Sequence, residues 1–176
     1  MKRAILICGH ICSGKSFVID QLVKAYQWDV ISFGKYIKHL AWVKKLPATR
    51  ESYQILGQQV FEELGPNKFL ANVIQFNKPS SPVHLFDGVR HLPMLEAIRQ
   101  HYQNTLVIYL NVSDEIRFKR YKIRAAQGDP ALTYEEFLKL SEQPVERGIS
   151  EIKKLADLQI DGTASLQGII DKIEKI

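Results

Sequence analysis

The sequence predicts an α/β protein with three layers, in which helices cover both faces of a five-stranded parallel β-sheet. Three observations predict this fold class. Short apolar runs alternate along the chain with longer segments whose apolar residues recur at helical spacing. The first run is continuously aliphatic, as in a strand buried on both faces of a parallel sheet. A glycine-rich loop joins that run to the first helical segment, and a sheet of this kind binds its ligand at such loops.

Five apolar or β-branched runs predict the strands. They span residues 4–8, 28–33, 83–86, 105–111 and 158–160. The run at 4–8 is the most continuously aliphatic of them, so we expect it to be a central strand with right-handed crossovers on either side.

Apolar residues at three- and four-residue steps predict the helices. They span residues 16–26, 35–44, 49–64, 67–76, 91–102, 114–126 and 166–173, with a further helical region over 133–156. The two segments between the second and third strands are longer than a simple crossover needs. This insertion predicts a helical cap, over about residues 34–78, that covers a site.

Glycine, proline and capping residues predict where the helices begin and end. Gly34 separates the second strand from its helix, and Gly65-Pro66 ends the first long cap helix. Thr133 with Glu136 three residues later is a capping box. The residues Gln127-Gly128-Asp129-Pro130 break the preceding helix, and a second break is expected near Pro144 and Gly148.

Length and composition predict a single domain over residues 1–176, with 45% hydrophobic and 24% charged residues. The formal net charge of +5 suits an anionic ligand and also suits nucleic acid. The basic residues are spread along the chain, with clusters at Lys35/Lys38 and over 117–124. This distribution favours several anion contacts around a cleft, so nucleic acid is the less favoured partner.

The two cysteines, Cys8 and Cys12, are too few for a zinc site and are expected to be reduced thiols of a cytoplasmic protein. The apolar run after Met1-Lys2-Arg3 is too short for a secretory signal or a membrane span. We therefore expect no membrane association, and the oligomeric state stays open.

The stretch Gly9-His10-Ile11-Cys12-Ser13-Gly14-Lys15-Ser16 is a complete G-x-x-x-x-G-K-S motif between a predicted strand and a predicted helix. Backbone N–H groups of such a loop, with those of the following helix, form a donor array for phosphate oxygens. Lys15 is expected to reach the β- and γ-phosphates and Ser16 to bind Mg²⁺. The alternative is a glycine-rich turn that only joins strand to helix. The predicted nucleotide contacts in this region are Gly9, Cys12, Ser13, Gly14, Lys15, Ser16 and Phe17.

Asp87 ends the third predicted strand, at the edge of the sheet where the loop also lies. A carboxylate there can hold the magnesium shell or accept the proton of the attacking group in phosphoryl transfer. The alternative is an Asp that only caps the turn with Gly88.

Three basic residues are candidates for binding the acceptor. Arg90 lies just beyond the third strand, and a guanidinium is suited to bidentate contact with a phosphate or carboxylate. Arg50 and Lys38 lie in the predicted cap. The alternatives are surface pairing for Arg90, with Glu96 or another carboxylate, the same kind of pairing for Arg50, and a solvated face for Lys38.

Arg117, Arg120 and Arg124 lie at three- and four-residue steps on one predicted helix. Such a stripe can close over a triphosphate and neutralise the charge that develops on the transferred group. Arg120 is the favoured catalytic residue because it is central. The alternative is a solvated basic helix.

With these residues together, the chain resembles the nucleotide-kinase branch of P-loop proteins, which includes adenylate kinase and dephospho-CoA kinase, and is most similar to the dephospho-CoA kinase-like family known from archaea. The resemblance covers nearly the whole chain. It implies the P-loop nucleoside triphosphate hydrolase fold, ATP and Mg²⁺ as cofactors, and a lid over about residues 114–135. Matching stretches are Gly9–Ser16, Ser32-Phe33-Gly34, Thr49-Arg50-Glu51, Leu56-Gly57, Leu64-Gly65-Pro66, Asp87-Gly88-Val89-Arg90, Arg117-Phe118-Lys119-Arg120, Gly128-Asp129-Pro130 and Leu155-Ala156-Asp157.

The same resemblance implies roles for particular residues. Lys15 and Ser16 are implied to contact phosphate and Mg²⁺, and Asp87 to be the acid at the catalytic centre. Arg90 is implied to contact the acceptor, Arg120 and Arg124 to be lid arginines, and residues around Gly162 to lie near the base. The chain departs from the family's pattern on the acceptor side, at Lys35, at Lys38 and near residues 137–146.

The sequence thus predicts an ATP- and Mg²⁺-dependent kinase that phosphorylates a small nucleotide or nucleotide-like acceptor, of the nucleoside monophosphate or dephospho-CoA type. Two other functions stay open. One is a nucleotide-hydrolysing switch, and the other is a nucleotide-binding module without kinase activity.

Overall fold

The computed structural model describes residues 2–126, 130–141 and 144–174. All five predicted strands form, and they pair in parallel in one sheet. The strands are β1 (Arg3–Cys8), β2 (Asp29–Ser32), β3 (Val83–Asp87), β4 (Asn104–Asn111) and β5 (Leu158–Asp161). Their order is β2-β3-β1-β4-β5, so β1 is central, as predicted. The loops after β1 and β3 therefore leave the sheet side by side, at the edge where such folds bind ligands.

Eight helices are found within the described residues. They are α1 (Lys15–Tyr26), α2 (Phe33–Val43), α3 (Arg50–Asn77), α4 (Leu92–His101), α5 (Asp114–Ala125), α6 (Tyr134–Ser141), α7 (Pro144–Lys154) and α8 (Leu166–Glu174). None of them is both long and apolar enough to cross a membrane.

Apolar residues of the sheet alternate between two hydrophobic cores. Leu6 and Phe86 pack with α2, α3, α4 and α7 on one face. Ile5 and Ile108 pack with α1 and α8 on the other. Helices thus cover both faces of the sheet, which confirms the predicted three-layer α/β/α sandwich.

The structure refines two predicted helix boundaries. Helix α2 begins at Phe33, because the Ser32 hydroxyl accepts a hydrogen bond from the Lys35 amide at 3.3 Å and caps the helix. Gly34 therefore lies in the first turn and does not separate strand from helix. The break predicted near Pro144 and Gly148 falls at the first of these residues, since α6 ends at Ser141 and α7 begins at Pro144, and Gly148 lies inside α7.

Two other helix signals are confirmed. Gly65 has non-helical dihedrals (φ 70°, ψ 166°), so α3 is two helical segments joined at a kink where an end was predicted. In the capping box, the Glu136 carboxylate accepts from the Thr133 amide at 2.8 Å, and the Thr133 hydroxyl accepts from the Glu136 amide at 3.2 Å. The predicted break over 127–130 lies outside the described residues, except for Pro130.

Candidate active site

A cleft of about 900 Å³ opens at the carboxyl edge of the sheet, between the loop after β1, the loop after β3, and helices α2, α3 and α5. It brings together most of the site residues predicted from the sequence. These are Cys12, Gly14, Lys15, Ser16, Phe17, Lys38, Arg50, Asp87, Arg90, Arg120 and Arg124. Gly9, Ser13 and Gly162 are not part of the cleft lining and lie behind it. Lys35 is exposed and is likewise absent from the lining.

The loop after β1 is tightly folded. Gly9 has a φ of 149°, and a Cβ at this position would lie 2.6 Å from the Ser13 hydroxyl oxygen and 2.9 Å from the Leu110 carbonyl oxygen. Only glycine fits there. Cys12 is in the left-handed region (φ 62°), a conformation that costs free energy for a residue with a side chain and is found at ligand-binding loops.

The loop leads directly into α1, whose N-cap is Gly14 in the left-handed region (φ 97°). A glycine cap supplies no side-chain acceptor for the amides of the first helical turn. Amides at a helix N-terminus bind anions, because their partial positive charges add to the helix dipole. The end of α1 that borders the cleft is therefore suited to bind a phosphate.

The Lys15 ammonium folds back over its own loop. It donates hydrogen bonds to the carbonyl oxygens of Gly9, at 2.6 Å, and His10, at 2.9 Å. Burial raises the pKa of the neighbouring Cys8 thiol to about 12, an effect that the Lys15 charge opposes and the Asp87 charge reinforces. Cys8 is thus a protonated thiol at the end of β1, close to both charged groups.

Arg120 on α5 binds the backbone of two loops. One terminal nitrogen donates to the carbonyl oxygens of Ser13, at 3.0 Å, and Cys12, at 3.3 Å. The other donates to the Gly162 carbonyl oxygen at 3.0 Å. Gly162 follows β5, so Arg120 connects the phosphate-binding loop to the last strand while it lines the cleft.

Arg117 lies on the same face of α5 as Arg120 and Arg124, as the sequence predicted, because all three contact the phosphate-binding loop, but Arg117 is buried and does not line the cleft. It is 2% exposed, donates to the Ile11 carbonyl oxygen at 3.2 Å, and is paired with Asp114. Its guanidinium lies 5.4 Å from the centre of the Phe137 ring on α6. Arg117 therefore supports the phosphate-binding loop from within a small hydrophobic core and does not border the cleft.

Asp87 and Ser32 end adjacent strands and are register partners in the sheet. The Ser32 hydroxyl lies 3.5 Å from a carboxylate oxygen of Asp87, and Ser32 is 4% exposed. Sequence reasoning did not assign Ser32 to the site, although a serine directly before a helix is a recognisable N-cap signal. The cap thus also orients the carboxylate that faces the cleft.

The chemistry of the donor set fits Mg²⁺. The Ser16 hydroxyl and the Asp87 carboxylate are hard oxygen donors on the same cleft. Among the described residues there is no group of three or more His, Cys, Asp or Glu side chains that could hold a metal. Mg²⁺ is commonly bound by one or two protein oxygens together with water and substrate phosphates.

The wall of the cleft formed by α2, α3 and the loop after β3 combines cations with aromatic rings and amides. Arg50, Lys38 and Arg90 all line it, as predicted. Sequence reasoning missed the uncharged residues of this wall. These are Phe33, Tyr53, Gln54, Gln58, Phe61, Phe69, His91 and Met94. Several of them recur at three- and four-residue steps along α3, a spacing that marks one helix face but does not show what that face meets.

His91 follows Arg90 and is the N-cap of α4. Its ring stacks on Phe61 with 5.4 Å between centroids and 26° between planes. Burial, followed by the positive charge of Arg90, lowers the pKa of His91, so the imidazole is neutral near pH 7. The stacking of His91 on Phe61 packs the loop after β3 against α3.

The chain is similar over nearly its whole length to curated proteins of archaea. It is 30% identical to a UPF0200 protein of Pyrococcus furiosus, and the match covers 98% of this chain and 94% of the relative. It is 29% identical to a UPF0200 protein of Pyrococcus horikoshii, with the same coverage of the two chains. The names of these relatives state no activity. No protein-family model matches the chain.

Solved structures with the same fold are mostly described as kinases. Shikimate kinase from Bacteroides thetaiotaomicron aligns with a TM-score of 0.58 at 13% identity, covering 98% of this chain and 97% of the other. Deoxyadenosine kinase from M. mycoides aligns at 0.55 and 19% identity, covering 98% and 100%. TT1252 from Thermus thermophilus aligns at 0.63 and 16% identity, covering 99% and 97%. The similarity shows that the chain shares the three-layer α/β/α fold of these proteins.

Proposed function

The chain belongs to the UPF0200 family, and from its cleft and its fold we propose that it is an ATP- and Mg²⁺-dependent kinase that transfers the γ-phosphoryl group to a small nucleotide or nucleotide-like acceptor. One observation carries this proposal. The phosphate-binding loop and a second group of cations, Arg50 on α3 and Arg90 after β3, line one continuous cleft. A kinase needs two anion-binding regions that face each other across the transferred group.

On the donor side, the loop amides and Lys15 bind the phosphates. Lys15 exchanges its hydrogen bonds to the Gly9 and His10 carbonyl oxygens for bonds to phosphate oxygens. Arg120 holds the loop in shape through its carbonyl contacts, and Arg124, which also lines the cleft, binds phosphate. The residues around Gly162 lie near the base. Catalysis then consists mainly of positioning and of charge neutralisation.

Ser16 and Asp87 would hold Mg²⁺, which supplies charge neutralisation at the phosphate oxygens. The Asp87 carboxylate orients the acceptor hydroxyl and takes its proton as the new O–P bond forms and the bond between the γ-phosphorus and the bridging oxygen breaks. Ser32, 3.5 Å from that carboxylate, keeps it in place.

On the acceptor side, the lining favours an acceptor with both an anionic group and a planar ring. Arg90, Arg50 and Lys38 supply positive charge, while Phe33 and Phe61 supply apolar surface. Gln54 lies on the same wall and is able to pair with the polar edge of a heteroaromatic ring. These features support a nucleoside monophosphate or a dephospho-CoA type of acceptor.

We further propose that residues 34–78 act as a cap and residues 114–135 as a lid within a single domain. Both segments border the cleft, through Lys38 and Arg50 in the first and through Arg120 and Arg124 in the second. Closure of the two over bound ligands excludes water, which would otherwise hydrolyse the phosphoryl donor.

A coupled assay of ADP release from MgATP tests this function. The acceptor panel contains nucleoside monophosphates, dephospho-CoA and other small alcohols. Stimulation by one acceptor is the expected result. Turnover that does not depend on an acceptor would instead identify a nucleotide-hydrolysing switch, and ATP binding without turnover would identify a nucleotide-binding module.

A further inference from the structure

Helix α7 touches the backbone of the acceptor-side loop at one point. A Cβ built on Gly148 would lie 2.1 Å from the carbonyl oxygen of Arg90 and 3.3 Å from its carbonyl carbon. It would also lie 3.6 Å from the Cα of His91. The backbones of α7 and of residues 90–91 are therefore closer together than any other residue at position 148 permits.

A glycine inside a helix is less favourable than alanine, so its presence needs a reason. Gly148 lies inside α7, between Pro144 and Lys154, and its φ is not in the left-handed region that favours glycine. Backbone strain thus does not explain it. Close approach to Arg90 does.

The loop after β3 is also held from the other side. His91 stacks on Phe61 of α3, with 5.4 Å between ring centroids. Val89 is 6% exposed and belongs to the hydrophobic core under α3, α4 and α7. Residues 89–91 are thus packed between α7 and α3, and the backbone from which the Arg90 side chain extends is fixed.

Helix α7 contacts the donor loop as well. The Ser150 hydroxyl lies 3.4 Å from His10 Nε2, and His10 is part of the phosphate-binding loop. Between these two contacts, Ile149 is 3% exposed and anchors the helix in the core. One rigid helix therefore touches the donor loop and the acceptor-side loop within three consecutive residues.

We propose that Gly148 is a positioning residue that determines the position of Arg90 relative to the phosphate-binding loop. Helix α7 contacts both loops and fixes the distance between them. This inference rests on the proposed kinase function, in which Arg90 binds the acceptor. Gly148 lies behind the loop and not on the cleft, so it acts through Arg90 and not on the acceptor itself.

The size of the expected effect follows from the contact distance. A methyl group needs about 3.3 Å from a carbonyl oxygen, so Gly148→Ala must move Arg90 or α7 by about 1 Å. A displacement of that size at a positioning group costs about 10- to 100-fold in rate. We expect Gly148→Ala to lower kcat/KM for the acceptor by this factor, mainly through KM, and to leave KM for ATP within about twofold.

The matched control is Gly168→Ala in α8. A Cβ there would meet only the Ser165 hydroxyl, at 3.2 Å, which ends a short side chain that also accepts from the Gly168 amide, and no backbone of another element. The control therefore measures what alanine does to a helix glycine outside the site, and we expect its kinetics to equal those of the wild-type protein. Hydrogen exchange of the amides over residues 88–94 is followed in both variants, because it reports the packing of the Arg90 loop without any substrate.

A double variant separates positioning from general damage. If Gly148 acts through Arg90, adding Gly148→Ala to a protein that already carries Arg90→Ala has little further effect on the KM for the acceptor. Hydrogen exchange in Gly148→Ala then rises over residues 88–94 alone. Additive losses in the double variant overturn the inference. Faster hydrogen exchange along the whole chain of Gly148→Ala also overturns it. So does a Gly148→Ala protein whose exchange and kinetics both equal those of the wild-type protein. If the wild-type protein phosphorylates no acceptor, the proposed function fails instead, and hydrogen exchange over residues 88–94 alone decides the positioning role.

Discussion

The guanidinium of Arg120 lies 3.0 Å from the carbonyl oxygen of Ser13 and, through its other terminal nitrogen, 3.0 Å from that of Gly162. Arg120 was predicted to contact only the nucleotide. Its side chain instead connects the loop after β1 to the residues after β5. Because these bonds hold the loop proposed to bind phosphate, we expect the stability of the protein and its affinity for nucleotide to be coupled at this residue.

Replacing Arg120 with alanine tests that coupling. The change removes charge-assisted hydrogen bonds to carbonyl oxygens, each typically worth about 1.5–3 kcal/mol. We expect the free energy of unfolding to fall by about 1–3 kcal/mol and the Kd for MgATP to rise about tenfold or more. Urea unfolding and calorimetry measure the two effects. Lys119→Ala, an exposed neighbour on the same helix, is the control. Unchanged stability would show that the carbonyl contacts do not hold the loops.

Lys15→Ala is expected to abolish measurable turnover. The loss of one preorganised donor at the transferred group costs about 10²–10³ in kcat, and Lys15 also contributes binding. Lys15 lines the cleft and bonds only within its own loop, to Gly9 and His10, so the free energy of unfolding should fall less than in Arg120→Ala, where two separate segments lose their connection. The exposed Lys24, on the same helix, gives the control variant Lys24→Ala. Retained activity in Lys15→Ala would remove the loop from its assigned role.

Arg90→Ala is expected to raise the KM for the acceptor more than the KM for ATP, because Arg90 lines the cleft outside the phosphate-binding loop, among the residues proposed to bind the acceptor. A lost bidentate contact with an anion amounts to about a tenfold effect or more. Arg99→Ala is the control, since Arg99 pairs at the surface with Asp157 at 3.5 Å, an interaction worth at most about 1 kcal/mol. A larger effect on ATP than on the acceptor would place Arg90 on the donor side.

The fully buried His84 predicts a pH dependence of stability. Its Nε2 lies 3.0 Å from the Ser81 carbonyl oxygen, which can only accept, so Nε2 carries the proton and Nδ1 accepts from the Tyr102 hydroxyl at 2.7 Å. Burial, followed by the positive charge of Lys2, lowers the pKa of His84 in the folded protein. The unfolded chain has a pKa of about 6.5 and binds a proton first as the pH falls.

The contribution of His84 to stability is therefore fully present above about pH 6.5 and is lost as the pH falls from there towards the folded pKa. Urea unfolding of the wild-type protein at pH 7.5 and pH 5.5 should show lower stability at the lower pH. The variant His84→Gln can make the same two hydrogen bonds without titrating, so its pH slope should be smaller. An equal slope in both proteins would assign the dependence to other groups, of which His91 has a pKa shifted in the same direction.

Much of the site was predictable because its chemistry is carried by short stretches of sequence. The loop from Gly9 to Ser16 is a local structure whose glycines and following helix are contiguous in the chain. Asp87 and Arg90 were placed correctly on the cleft because the carboxyl ends of parallel strands share one edge of the sheet. The capping box at Thr133 was confirmed for the same reason, since all its atoms lie within four residues.

The remaining features depend on contacts between distant parts of the chain. The spacing of Arg117 and Arg120 placed both on one face, yet Arg117 is buried because α6 packs over it through Phe137. In the same way, Phe61 was expected only as an apolar helix residue, and the fold places it against His91.

The sequence by itself determined the strand and helix pattern, the phosphate-binding loop and the charged residues available to the cleft, since each depends on near neighbours in the chain. Only the tertiary structure decided what those residues touch. Gly148 and Arg90 are far apart in sequence, and no local periodicity reports that their backbones meet. Tertiary packing determines this contact, because packing is the sum of many contacts between helices, and no single segment specifies how those helices lie relative to one another.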